Sequence, residues 1–187
     1  MDNRPDDQEM LAVREGDVGK MGTLFERHHR MLFNFFLRLT GSRAISEDLV
    51  QDVFFRMLKY RHTYQPENNF LAWMYRVARN AHLDHARKFK LELVPDTDEQ
   101  PWEPASHDPS PHQRLEQEQE IALLRRALGK LPVEKREVLV LSRFQNLKYD
   151  EIAEIMGCEV GAVKVRVYRA TKELSEIYFE LAGEKAS

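Results

Sequence analysis

A chain of 187 residues has room for one large domain or two small ones, and 42% hydrophobic residues, with ten Phe and two Trp, can build real cores. No apolar run approaches the length of a membrane span, the first ten residues are acidic and polar rather than a signal peptide, and a single cysteine excludes an internal disulfide. These features predict a cytoplasmic protein with no direct membrane insertion. The net charge of −3 is unpromising for a nucleic-acid binder until it is divided. Residues 1–90 carry 15 Lys/Arg against 12 Asp/Glu and residues 121–187 carry 12 against 10, whereas residues 91–120 carry one against nine. Two mildly basic units are joined by an acidic strip.

In chain order, a short helix is predicted from Asp7 to Glu15. A longer one starts at Thr23, with Leu24, Phe25, His28, Leu32, Phe35, Phe36 and Leu39 at helical spacing and Gly41 to stop it. Ser46, Glu47 and Asp48 are read as the start of a third helix, with acids at its positive end. Leu49, Val50, Val53, Phe54, Met57 and Leu58 form its buried stripe and leave Asp48, Gln51, Asp52 and Phe55 outside. Two carboxylates one turn apart, with no third ligand or nucleophile beside them, do not make a metal or catalytic site. With Gln51 and the apolar Phe55 they make a docking surface for a basic partner helix.

After a loop at 64–69, a helix from Phe70 to about Lys90 shows two faces. Phe70, Met74, Val77 and Ala81 point inward. Trp73, Arg76, Asn80, Asp84 and Arg87 follow one another on another side, with Tyr75 and Arg79 adjacent. Rings for stacking bases, guanidinium groups for phosphates and an amide for a base edge are what single-stranded DNA asks for. Aromatic residues at this spacing are as often core, and the residues alone leave both readings open. Residues 91–112 hold five prolines and many acids without a period and read as an extended linker.

Helices resume near Gln113, break around Gly129–Pro132 and continue from Val133 to Phe144. Ile152, Ala153, Ile155 and Met156 then give a short helix an apolar side, with Gly157 as its exit. Beyond the turn at Cys158–Glu159, Val160, Val163, Val167, Ala170 and Leu174 mark the buried face of a second helix. Its other side presents Gly161, Lys164, Val165, Tyr168 and Lys172, flanked by Arg166 and Arg169. A helix, a tight turn and a helix with a basic outer face form a helix-turn-helix suited to the major groove. Cys158 reads as a packing residue between the two helices, and neither His28–His29 nor His82/His85 has a third ligand in reach, so no metal or cofactor is expected.

The stretches SEDLVQDVFFRML, FLAWMYRVARNAHLDHARK, LGKLPVEKREVLVLSRF and KYDEIAEIMGCEVGAVKVRVYRA, in this order, resemble the two conserved regions of an extracytoplasmic-function sigma factor of the sigma-70 family. The resemblance implies an all-α chain of two small helical domains, 1–90 and 120–187, joined by the acidic linker 91–119. It implies no enzymatic activity and a role in promoter-specific transcription initiation. Asp48, Gln51, Asp52 and Phe55 would dock on the coiled coil of the largest subunit of core RNA polymerase. Tyr64, Asn68, Asn69, Phe70, Trp73, Tyr75, Arg76, Arg79, Asn80 and Arg87 would melt and read the −10 element as single strand. Gly161, Ala162, Lys164, Val165, Arg166, Tyr168, Arg169 and Lys172 would read duplex DNA at −35. An anti-sigma factor is the further partner implied. Family members often carry Thr and Ser at the positions of Ala162 and Val165, so here thymine methyl contacts replace hydrogen bonds and the −35 sequence does not transfer.

Overall fold

The computed structural model describes residues 4–65, 69–89 and 111–185, all of its regular structure being helical. Helices α1 (Arg4–Glu15), α2 (Lys20–Thr40), α3 (Arg43–Lys59) and α4 (Phe70–Phe89) form the first half, with a single 3₁₀ turn at Arg61–Thr63. Helices α5 (Pro111–Lys130), α6 (Val133–Leu139), α7 (Tyr149–Met156) and α8 (Val160–Lys185) form the second. The α2 stripe is buried as its spacing requires: Leu24, His28, Leu32, Phe35, Phe36 and Leu39 all face the core. Gly41 ends the helix in the left-handed region, φ 70°, and returns its N–H to Leu37 O at 2.9 Å.

Four expectations are corrected. The cap of α3 is Ser42, which accepts from the Ile45 N–H; Ser46 is buried instead, donating to Ser42 O at 2.6 Å beside Thr40 Oγ1. Residues 111 and 112, read as the end of the extended stretch, already belong to α5, which starts two residues before Gln113, while 91–110 lie outside the described residues. The helix expected over 133–144 is α-helical only to Leu139 and continues as a π-turn over Val140–Phe144. An extra residue in that turn redirects the chain and places Gln145 toward α4. Val160, expected in the buried stripe of α8, is exposed at the helix start, one residue past the turn.

The two halves share one core. Buried residues from Met10 to Ala81 and from Leu128 to Ala170 form a single cluster, with α7 packed on α4 and the π-turn on α2. A smaller cluster of Leu123, Ala127 and Leu181 ties α5 to the end of α8. Among the described residues no helix is long and apolar enough to cross a membrane.

Candidate nucleic-acid interface

The helix-turn-helix is built as its residues require. Glu151 closes the start of α7 by accepting from the Lys148 N–H at 2.8 Å. Gly157 adopts φ 64°, and the Cys158 N–H returns to Ala153 O at 3.0 Å, which turns the chain within two residues. Val163, Val167 and Ala170 seat α8 on the core. Gly161, Lys164, Val165, Arg166, Tyr168, Arg169 and Lys172 are exposed, Tyr168 to 72%, and Ala162 is half-buried at the turn. Cys158 is half-buried against the core.

On α3, Asp48, Gln51 and Phe55 lie on the surface, Phe55 64% exposed. Asp52 is less free than its spacing suggested. It accepts from Arg56 Nε at 2.8 Å, and the same guanidinium reaches Asp84 on α4 at 2.6 Å, linking the two helices. No side-chain pattern marked Arg56 for this role; its signal was only an Asp four residues earlier.

The α4 assignment needs the largest correction. Trp73 and Tyr75 do not form an exposed stacking surface. Trp73 packs edge-on against Tyr64 at 5.2 Å and Tyr75 against Phe35 at 5.2 Å, and all four rings are buried, as is Phe70. The reason is that α4 is covered on two sides, by α3 and α1 and also by α7 of the second half, so its apolar arc is wider than one stripe. Arg76, Asn80, Asp84 and Arg87 remain along a narrow strip, half-buried at Arg76 and exposed at the others. Asn68 lies outside the described residues. Asn69 is the N-cap of α4: its Oδ1 accepts from Leu71 N at 2.9 Å and Ala72 N at 3.3 Å, and its Nδ2 donates to Glu151 Oε1 at 3.0 Å.

Three further polar links cross from α2 and α4 to the second half. The Tyr75 hydroxyl donates to Gln145 Oε1 at 2.6 Å, and Arg79 Nε lies 3.0 and 3.1 Å from the two Glu137 oxygens. Arg136 donates to Leu39 O at 2.6 Å. Burial pushes the Glu137 carboxyl above its ordinary value against the pull of Arg79, and holds Arg136 down at about 10, still charged at neutral pH. The doublet Arg136–Glu137, inside an apolar run, was the one sequence signal of this junction.

Beside it sits His82, buried, with no protein group at hydrogen-bond distance from Nδ1. Burial first, then Arg136, His85 and Arg79, push its pKa down to about 4. The folded state therefore resists a proton that the unfolded chain accepts near pH 6.5. Stability is intact above that value and falls as pH drops toward 4, by up to about 3 kcal/mol from this group. In urea unfolding between pH 7 and 4.5, His82→Leu should show a visibly flatter pH dependence than wild type; equal slopes would remove His82 as the cause.

The Sigma-70 region 2 family matches residues 24–90, and the Sigma-70, region 4 family matches residues 121–174. CarQ, an RNA polymerase sigma factor of Myxococcus xanthus, is 30% identical over 180 residues, 95% of this chain and 99% of that protein. The chain belongs to the extracytoplasmic-function sigma factors of the sigma-70 family. The extracytoplasmic-function sigma factor SigE of Mycolicibacterium smegmatis is 32% identical over 87% of this chain, which spans 63% of SigE. In fold, the chain is similar to the sigma factor RpoE of Bartonella quintana, solved in complex with the anti-sigma factor NepR. That match has a TM-score of 0.62 at 24% identity and covers 83% of this chain and 94% of RpoE. As a member of this family the chain is a promoter-specificity factor that works with core RNA polymerase on promoter DNA.

Proposed function

We propose that the chain directs promoter recognition through three separate surfaces, acts in the cytoplasm and performs no catalysis itself. The exposed basic side of α8 carries this reading, because its cations stand opposite a buried apolar stripe and directly after a tight turn. Lys164, Arg166, Arg169 and Lys172 supply phosphate and base-edge contacts at −35, while Val165 offers apolar contact to a thymine methyl. Asp48, Gln51 and Phe55 dock on the coiled coil of the largest polymerase subunit, with Asp52 contributing from its pair with Arg56. Asn69, Arg76, Asn80 and Arg87 read and hold the melted −10 strand, and Tyr64, Phe70, Trp73 and Tyr75 support α4 from its buried side. Asn69, Tyr75 and Arg79 are engaged by the second half in this arrangement, so −10 binding requires α4 to part from α6, α7 and the end of the π-turn. An anti-sigma factor is the partner proposed to act on this separation, as a protein of that kind does form a complex with RpoE.

The test is a shift and transcription assay on promoter DNA with and without core polymerase. Specific open complexes are expected only with core; equal sequence-specific binding by the chain alone would make it an autonomous regulator. Phe55→Ala refines the test, because a ring this exposed contributes little to folding. The substitution should leave the unfolding midpoint unchanged and weaken core binding by about 2 kcal/mol, as for a buried aromatic anchor in an interface. Retention of core by Phe55→Ala at wild-type strength would move the docking surface elsewhere.

A further inference from the structure

The start of α4 is fixed from outside by α1, a helix to which promoter recognition assigns nothing. Asp7 Oδ1 accepts from the Tyr64 hydroxyl at 2.6 Å and from the Phe70 N–H at 2.9 Å. Tyr64 opens the loop at 64–69 and Phe70 is the first residue of α4 after it. Arg14, two turns further along α1, donates to Tyr64 O at 3.0 Å. The neighbouring Asp6 holds His28 Nε2 at 3.0 Å, and the His28 ring packs on Phe70 at 5.1 Å.

The physical consequence concerns Asn69. The first N–H groups of a helix lack intrahelical partners, and Asn69 Oδ1 satisfies those of Leu71 and Ala72. The Phe70 N–H is left over, and the Asp7 carboxylate takes it, an anion at the positive end of α4. The cap is thus completed by two residues from different helices. Asn69 cannot turn its amide away from this position without giving up the cap, and α4 cannot unwind by a residue without leaving Asp7.

We propose that Asp7 is a positioning residue for −10 recognition: through Phe70 and Tyr64 it fixes the place from which Asn69 offers its amide to an unpaired base. The inference rests on the reading of the chain as a factor that reads a melted −10 strand. It adds a specificity role for a carboxylate that touches no DNA.

The experiment uses the full chain with core polymerase on two promoter pools, one randomised at −10 and one at −35, and compares selectivity as the ratio of most to least transcribed sequences. A correctly read base is worth on the order of tenfold in preference, so Asp7→Ala should lower the −10 ratio by about tenfold. Its −35 ratio and core affinity should stay within about twofold of wild type, the scale of an unaffected site. Asp7→Asn retains an oxygen that accepts from both donors and should recover most of the −10 ratio. Tyr64→Phe removes one of the two anchors and should lower it by about threefold, the worth of one hydrogen bond.

A wild-type −10 ratio in Asp7→Ala overturns the proposal, and so does an equal fall of both ratios, which marks a general defect of folding. Should Asp7→Ala fail to fold, Tyr64→Phe decides: an unchanged −10 ratio there overturns the assignment. Failure of the underlying reading looks different, since the wild-type protein would then show no −10 preference.

Discussion

Arg136→Met is expected to destabilise the chain by about 3–5 kcal/mol, a large share of the roughly 5–15 kcal/mol available to a folded domain. The residue is 1% exposed, and among the described residues its charge is met by carbonyl oxygens and not by a carboxylate. Nε donates to Leu128 O at 2.7 Å, and Nη2 to Gly129 O at 2.7 Å and Leu131 O at 2.8 Å. Those carbonyls lie at and just past the end of α5, and Leu39 O, which takes Nη1 at 2.6 Å, lies in the last turn of α2. The last carbonyls of a helix lack intrahelical partners and carry its negative end, so one guanidinium caps two helices, one in each half.

Methionine matches the volume and removes the cost of burying a charge, but these oxygens lose the guanidinium donors, Leu128 O keeping the Leu131 N–H at 3.2 Å. Each hydrogen bond to a charged group contributes about 1.5–3 kcal/mol, and only part of the loss is offset by the relieved desolvation. Arg136→Lys keeps the charge and loses the fork, so it should recover less than half. Urea unfolding measures both, and a Met variant within about 1 kcal/mol of wild type would mean that water replaces the guanidinium at these carbonyls.

Local patterns in the chain were readable where one helix meets one core. The α2 stripe, the left-handed Gly41 and Gly157, the exposed α3 patch and the basic side of α8 all follow from three- and four-residue spacing and from the need to end helices. The misread positions depend on contacts distant in the chain. Trp73 and Tyr75 are core because Tyr64 and Phe35 pack on their rings, and Gln145, 70 residues beyond Tyr75, takes its hydroxyl. Ser42 and Ser46 are equally good caps by type, and a polar cluster with Thr40 decides between them. Asn69 looked like a free base-reading amide, yet half of its hydrogen-bonding capacity caps its own helix. The roles of Arg136 and Glu137 are not legible in the sequence, because neither the two helix ends nor Arg79 can be located from spacing.

Arg79→Met should weaken the same junction by about 3 kcal/mol at neutral pH, the lower end of what breaking a buried ion pair costs, because Arg79 is itself partly solvated. Glu137 is 2% exposed, and without the guanidinium its charge is left uncompensated against burial. The penalty has a signature in pH. Burial already raises the folded-state pKa of Glu137, and loss of Arg79 raises it further. A group whose folded pKa lies above its unfolded value adds stability below the unfolded value, and that stability is lost as pH rises through the folded one.

The gap between Arg79→Met and wild type should therefore be small near pH 4.5 and full near pH 7.5. Arg79 is also the last of the groups that push His82 down, so its loss eases protonation of His82 and narrows the gap at low pH in the same direction. Adding Glu137→Gln to Arg79→Met should close most of the gap at neutral pH and remove most of its pH dependence. Since Arg79 lies on α4 and Glu137 on α6, the loss should appear as faster amide exchange where α7 covers α4, with the α5–α8 packing unchanged. A gap of constant size across pH, or one that Glu137→Gln leaves in place, would put the contribution of Arg79 within its own helix and leave the junction to the shared core and to the links made by Tyr75, Asn69 and Arg136.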